Sequence, residues 1–108
     1  MPYDEQLAER VRAALAGRTV REVRMFGGLS FMVDERLTVA ADSHGRLMLK
    51  IDPSRFDELV ARPGAAQGEM RGRSMGPGWL VVDGTGTDSE DDLGRWVGEA
   101  LAHRDSEG

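Results

Sequence analysis

The sequence contains no cysteine. Disulfides, thiolate zinc sites and thiol nucleophiles are therefore excluded, and the composition suits a reducing, cytoplasmic setting. No apolar run approaches the roughly 18 residues that a membrane helix needs, so no membrane association is expected. The N-terminal stretch MPYDEQLAER is acidic and polar, unlike a secretory signal. Lysine is almost missing as well: Lys50 is the one lysine among 14 basic residues. With 19 acidic residues the net charge is −5. Duplex binding draws most of its affinity from phosphate neutralisation, so this balance argues against direct nucleic-acid contact. Arg18, Arg21 and Arg24 are the arginines best spaced for such a contact, but a strand would scatter them over both of its faces.

The usual carriers of catalysis are also absent. His44 and His103 lack i+4 partners and a third ligand at metal-site spacing. Ser30 and Ser74 stand near glycines, but no Gly-x-Ser-x-Gly elbow is present. Met25-Phe26-Gly27-Gly28 lacks the spacing and the Lys-Ser/Thr of a phosphate loop, and reads instead as a tight turn. The carboxylates gather in turns and at helix starts, where they serve the backbone and the helix dipole. No catalytic residue, cofactor or metal is expected.

What remains is the pattern of one domain over residues 1–104, with 105–108 as a disordered tail. A first helix spans about Asp4 to Ala16, with Asp4 as cap, Gly17 as stop, and Leu7, Val11 and Leu15 as its buried stripe. The period then becomes two. Thr19 to Met25 is a strand; Leu29, Phe31 and Val33, then Leu37, Val39 and Ala41, then Leu47, Leu49 and Ile51 form the buried face of an antiparallel meander. A Ser43-His44-Gly45 turn pairs Asp42 with Arg46, Ala41 with Leu47 and Val39 with Leu49, which keeps every buried residue on one face. In the preceding turn, a two-residue Asp34-Glu35 loop puts Leu37 on the wrong face; a loop of three, through Arg36, restores parity. Asp52-Pro53 starts a short helix with Phe56, Leu59 and Val60 inward. Residues 64–78 are rich in glycine, with an edge strand at about Gln67 to Arg71. Trp79 to Val82 is the last strand and Asp83 to Gly86 a loop. Overlapping capping signals at Thr87 and Ser89 open a final helix, with Leu93, Trp96, Val97, Ala100 and Leu101 inward. Gly94 and Gly98 interrupt that helix, which points to a close backbone approach.

The opposite face of the meander carries Met32 and Met48 with Ser30, Thr38, Ala40 and Lys50. In this register Met32 pairs with Thr38, Ala40 with Met48, and Thr38 with Lys50. So little charge on a solvated face implies cover, either by a helix of the same chain or by a second subunit or partner.

Four motifs in order resemble the amino-terminal domain family of the competence regulator TfoX (Sxy). They are Met25-Phe26-Gly27-Gly28 with the strand through Asp34; Leu47 to Asp52; Gly72-Arg73-Ser74-Met75 with Gly78-Trp79; and the acidic helix start followed by Trp96-Val97 and Ala100-Leu101. Ser74 stands where proline is common in the family, and Gly76-Pro77 lengthens the loop by one residue. The resemblance implies an α+β fold of the secretion-chaperone-like kind, an antiparallel sheet of about four to six strands with an N-terminal, a short middle and a C-terminal helix. It implies a stand-alone single-domain member, without the carboxy-terminal helical domain of the full-length regulators. It also implies no enzyme activity and no cofactor. The full-length regulators act in transcription of competence genes, beside another transcription factor.

The expected function is thus a non-enzymatic regulatory or protein-interaction domain, homodimeric and with a protein partner. Its expected motif and interaction residues are Met25, Phe26, Gly27, Gly28, Met32, Met48, Lys50, Arg73, Met75, Gly78 and Trp79. The alternative is a small-ligand or anion-binding module at Met25 to Gly28, with Arg24, Lys50 and Arg73 as charge partners.

Overall fold

A computed structural model describes residues 3–25, 27–70 and 72–107. Helix α1 spans Glu5–Ala14. The Asp4 carboxylate accepts the Leu7 N–H at 3.1 Å, and Gly17 follows the helix at φ +89°, the left-handed conformation that lets the chain leave it. Leu7, Ala8, Val11 and Leu15 are buried.

Four strands follow as a meander: β1 Val20–Met25, β2 Gly28–Val33, β3 Arg36–Ala41 and β4 Leu47–Lys50. Short strands β5 Ala65–Gln67, β6 Glu69–Met70 and β7 Arg73–Ser74 precede β8 Trp79–Val82. The main sheet has the order β1-β2-β3-β4-β8-β5, antiparallel throughout, and β6 pairs with β7 in a separate hairpin. The edge strand expected at Gln67 to Arg71 therefore lies earlier, at Ala65–Gln67, and Arg71 is outside the described residues.

The β3–β4 turn forms as its sequence dictates. Ala41 pairs with Leu47 and Val39 with Leu49, and Gly45 takes φ +76°. The buried Asp42 carboxylate accepts the N–H groups of His44 at 2.9 Å and Arg46 at 2.8 Å, and Arg46 Nε at 2.9 Å. The β2–β3 turn differs from expectation. It is a two-residue turn with Asp34 at φ 51° and Glu35 at φ 68°, and Val33 pairs with Arg36. Parity is restored by a bulge: Met32 pairs with Leu37 but Phe31 with Val39, which leaves Thr38 as the extra residue. Leu37 consequently joins the outer face, and the expected Met32–Thr38 pair does not form. The Thr38 hydroxyl, buried, donates to the Arg36 carbonyl at 2.9 Å.

Asp52 caps a 3-10 turn over Pro53–Arg55 that leads into helix α2, Phe56–Val60. The loop expected at Asp83 to Gly86 is a short helix, α3, over Gly84–Thr87, capped by Asp83. Helix α4 runs Glu90–Ser106 with Ser89 as its cap, accepting the Asp92 N–H at 3.0 Å. Thr87 instead donates its hydroxyl to the Asp83 carbonyl. The helix continues two residues into the expected disordered tail, and there Asp105 pairs with Arg18 at 2.6 Å. Gly94 and Gly98 face open space, with no atom within 4 Å of where a Cβ would stand, so no close approach explains them.

Residues of α1, α2 and α4 pack with Leu29, Phe31, Val33, Val39, Ala41, Leu47, Leu49, Leu80 and Val82 into one core. All of these strand residues share one face of the sheet, so the packing helices leave the other face open.

Candidate functional site

The open face is built by alternation. Register sets Ser30 opposite Ala40, Ala40 opposite Met48, and Met48 opposite Val81. Leu37 arrives there through the bulge, and Trp79 opposite Lys50. The β6–β7 hairpin lies beside this face, with Glu69 and Met75 lining the same groove. The Met75 N–H donates to the Gly68 carbonyl at 2.8 Å, and the Gly68 N–H to the Trp79 carbonyl at 3.1 Å. Gly68 lies close under both: a Cβ there would stand 3.0 Å from Trp79 Cβ and 3.4 Å from Met75 Sδ.

The result is a groove of about 520 Å³. Its walls include Met25, Leu37, Met48, Met75 and Trp79, and its floor Ser30 and Ala40. Ser30 and Ala40 are 6% and 7% exposed although no helix covers them; the long side chains around them exclude water. The polar end is formed by Asp42, Ser43, His44 and Arg46 together with Glu69. Asp42 and Arg46 neutralise each other, so the groove is apolar with an acidic residue, Glu69, on its rim.

The two glycines of the Met25–Gly28 motif have a packing explanation. Gly27 takes φ +75°. A Cβ on Gly28 would stand 2.5 Å from the Ala41 carbonyl oxygen and 3.1 Å from Asp42 Cα. Glycine lets the β1–β2 turn lie directly against the end of β3. Phe26 is outside the described residues.

The sequence-predicted residues thus divide. Met25, Gly28, Met48, Met75 and Trp79 meet at the groove. Met32 is half-buried opposite Leu37 but outside the groove lining. Gly78 serves the backbone, its carbonyl accepting the Ile51 N–H at 2.9 Å. The three cations are not gathered around Met25 to Gly28. Arg24 pairs with Leu29 and so shares the helix-side face; Lys50 Nζ lies 3.8 Å from a Glu107 carboxylate oxygen; Arg73 is exposed in β7. Leu37, Asp42 and Glu69 are groove residues that sequence reasoning did not select. Leu37 alternates with the core set in sequence and only the bulge turns it outward.

Other charged groups are engaged in holding the fold. Arg12 binds Glu22 through Nε at 2.6 Å and Nη2 at 2.8 Å, and this holds the Glu22 carboxyl below its usual range. Arg21 does the same to Glu35, and Arg55 to Glu58. Arg18 and Arg21, two of the three arginines considered for nucleic acid, are bound to carboxylates. His44 is exposed in the turn. His103 lies in a small cleft of about 150 Å³ with Asp52 and Glu99; its Nδ1 is buried without a hydrogen-bond partner among the described residues. Among the described residues no group of three or more His, Cys, Asp or Glu could hold a metal ion, and no helix is long and apolar enough to cross a membrane.

Neither the curated proteins nor the solved structures include a significant match to this chain. The family model for the TfoX N-terminal domain matches residues 5–104. That family is non-enzymatic, and its α+β architecture of an antiparallel sheet with flanking helices is the one seen here. With nearly the whole sequence matched and the fold in agreement, the chain belongs to the TfoX N-terminal domain family.

Proposed function

We propose that this domain is a protein-interaction module acting in regulation, and that its open sheet face receives an apolar segment of a partner protein. The observation that carries the reading is the one-sided sheet. The helices and the main core cluster pack on one face, and the other, on which Ala40 and Val81 are also buried, bears a groove walled by Met25, Leu37, Met48, Met75 and Trp79. A contiguous apolar surface rimmed by polar groups marks an interaction site. Methionine suits it, because its unbranched thioether adapts to the surface that it meets. The setting is cytoplasmic, as the cysteine-free composition suggests. A homodimer belongs to the same reading, and leaves the groove free for a partner if the two copies meet elsewhere.

The test is co-precipitation from the source cell with wild-type and Met48→Glu baits. A charge at the groove wall should abolish recovery of the wild-type partner while circular dichroism stays native. Equal recovery by both baits, or none by either, would sink the reading. The small-ligand alternative moves to the same groove, whose volume lies in the range of small-molecule sites, and it calls for an apolar rather than an anionic ligand. A thermal shift with apolar compounds and no partner recovery would favour it.

A further inference from the structure

The chain has six methionines and no cysteine. Among the described residues the buried core holds no methionine; it is built of Leu, Val, Ile, Phe, Ala and Trp side chains. Met1 and Met70 aside, whose side chains are outside the described residues, every methionine lies on the open face. Register sets Met25 opposite Gly28, Met32 opposite Leu37 and Met48 opposite Val81, all on the side away from the core strand residues. Met75 joins Met25 and Met48 in lining the groove. All four are half-buried. Methionine is ordinarily a filler of irregular gaps in cores. Here the sulfur is segregated onto the face that no helix covers.

We infer that the open face is a site of reversible methionine oxidation, at which hydrogen peroxide turns the groove from apolar to polar without unfolding the domain. The step is a two-electron oxygen transfer. The thioether sulfur attacks one peroxide oxygen, the O–O bond breaks and a sulfoxide S–O bond forms. The second oxygen departs as water, carrying both hydrogens. Sulfur is oxidised by two electrons and the peroxide is reduced by two. The groove of about 520 Å³ admits an oxidant of this size. No thiol of the chain competes for it.

The segregation decides what oxidation does. A sulfoxide in a core would be a polar group buried without a donor, at the expense of the fold. The described methionines face away from the core, so the packing of Phe31, Leu49 and Trp96 against the helices is untouched. At the groove the same change falls on Met25, Met48 and Met75, three of its walls. An apolar segment seated there must then desolvate sulfoxide oxygens that it cannot pair, and it leaves. Release of a partner rests on the reading of the groove as an interaction site. The place of oxidation and the survival of the fold do not.

Peroxide treatment of the purified chain, with free methionine in the same tube, tests it in two parts. Peptide mass mapping reads each sulfur separately. Met25, Met48 and Met75 should gain one oxygen each, at rates within about tenfold of free methionine. Circular dichroism and the cooperativity of urea unfolding should stay native. The second part uses anilinonaphthalene sulfonate, a dye that lights up on exposed apolar surface. Reduced wild type should bind it and Met48→Glu should not, which assigns the dye to the groove. Oxidation should weaken that binding by about tenfold or more, and methionine sulfoxide reductases of both epimer specificities together should restore it. In a Met25→Leu, Met48→Leu, Met75→Leu triple variant, peroxide should leave dye binding at whatever level it started. Groove sulfurs that stay reduced while free methionine is consumed, or an oxidised chain that unfolds, would overturn the inference. So would equal dye binding by the oxidised and reduced forms, or an equal loss in the leucine variant. A reduced wild type that ignores the dye would instead refute the groove as an apolar acceptor, and the mapping and dichroism would still judge the oxidation site.

Discussion

Helix α4 carries two glycines whose effect on stability can be worked out from their surroundings. Gly94 and Gly98 are exposed, and a Cβ at either would meet nothing within 4 Å. Replacement by alanine therefore adds no clash and buries no surface. It removes only the conformational cost of glycine in a helix interior, about 0.8–1.0 kcal/mol at each position. The sites share no neighbour within that radius, so the effects should add to about 1.6–2 kcal/mol in the double variant. With a urea m-value of about 1.5–2 kcal/mol/M for a domain of this size, the unfolding midpoint should rise by about 1 M with no change in slope. In a thermal scan the same gain corresponds to about 6–10 °C. Chemical denaturation followed by tryptophan fluorescence is the assay, because Trp96 lies in the core on the same helix. An unchanged or lowered midpoint in both single variants would refute the reasoning. It would mean that the outer surface of α4 is not free at these positions.

The opposite outcome is expected at Gly28→Ala, where the new methyl would stand 2.5 Å from the Ala41 carbonyl oxygen. Overpacking of this kind costs about 1–3 kcal/mol, so the urea midpoint should fall, and an unchanged midpoint would show that the turn yields freely. The Arg12–Glu22 pair predicts a pH dependence. Hydrogen bonding to Arg12 holds the Glu22 carboxyl below its ordinary value near 4.5, so the stabilisation is complete above that value and is lost as pH falls through the depressed folded-state one. Arg12→Gln should flatten this acid-side loss, by under about 1 kcal/mol for so exposed a pair; denaturation midpoints between about pH 3 and 6 read it, and an unchanged acid slope would deny the pair its role.

The sequence by itself determined the elements and most of their inward faces. Asp4, Asp52 and Ser89 cap helices because a short polar side chain can reach the free N–H groups of the first turn. The Ser43-His44-Gly45 turn fixed its own register, because Gly45 needs positive φ and the period of two forbids a slip. These are local effects, complete within a few residues. The tertiary structure decided what depends on distant neighbours. The bulge at Thr38, which turns Leu37 outward, reconciles a two-residue turn with a core register set elsewhere in the sheet. The placement of Ala65–Gln67 beside β8, with Met75 and Trp79 brought to one groove, depends on contacts across a glycine-rich stretch with no periodicity to read. Above all, the sequence left open whether a helix covers the methionine face. The core holds α1, α2 and α4 together on one side of the sheet, because α1 and α4 pack on the same central strands and on each other, while α2 packs on β5 and adds Leu59 to the same core. That choice of side left the groove open, and no single element encodes it.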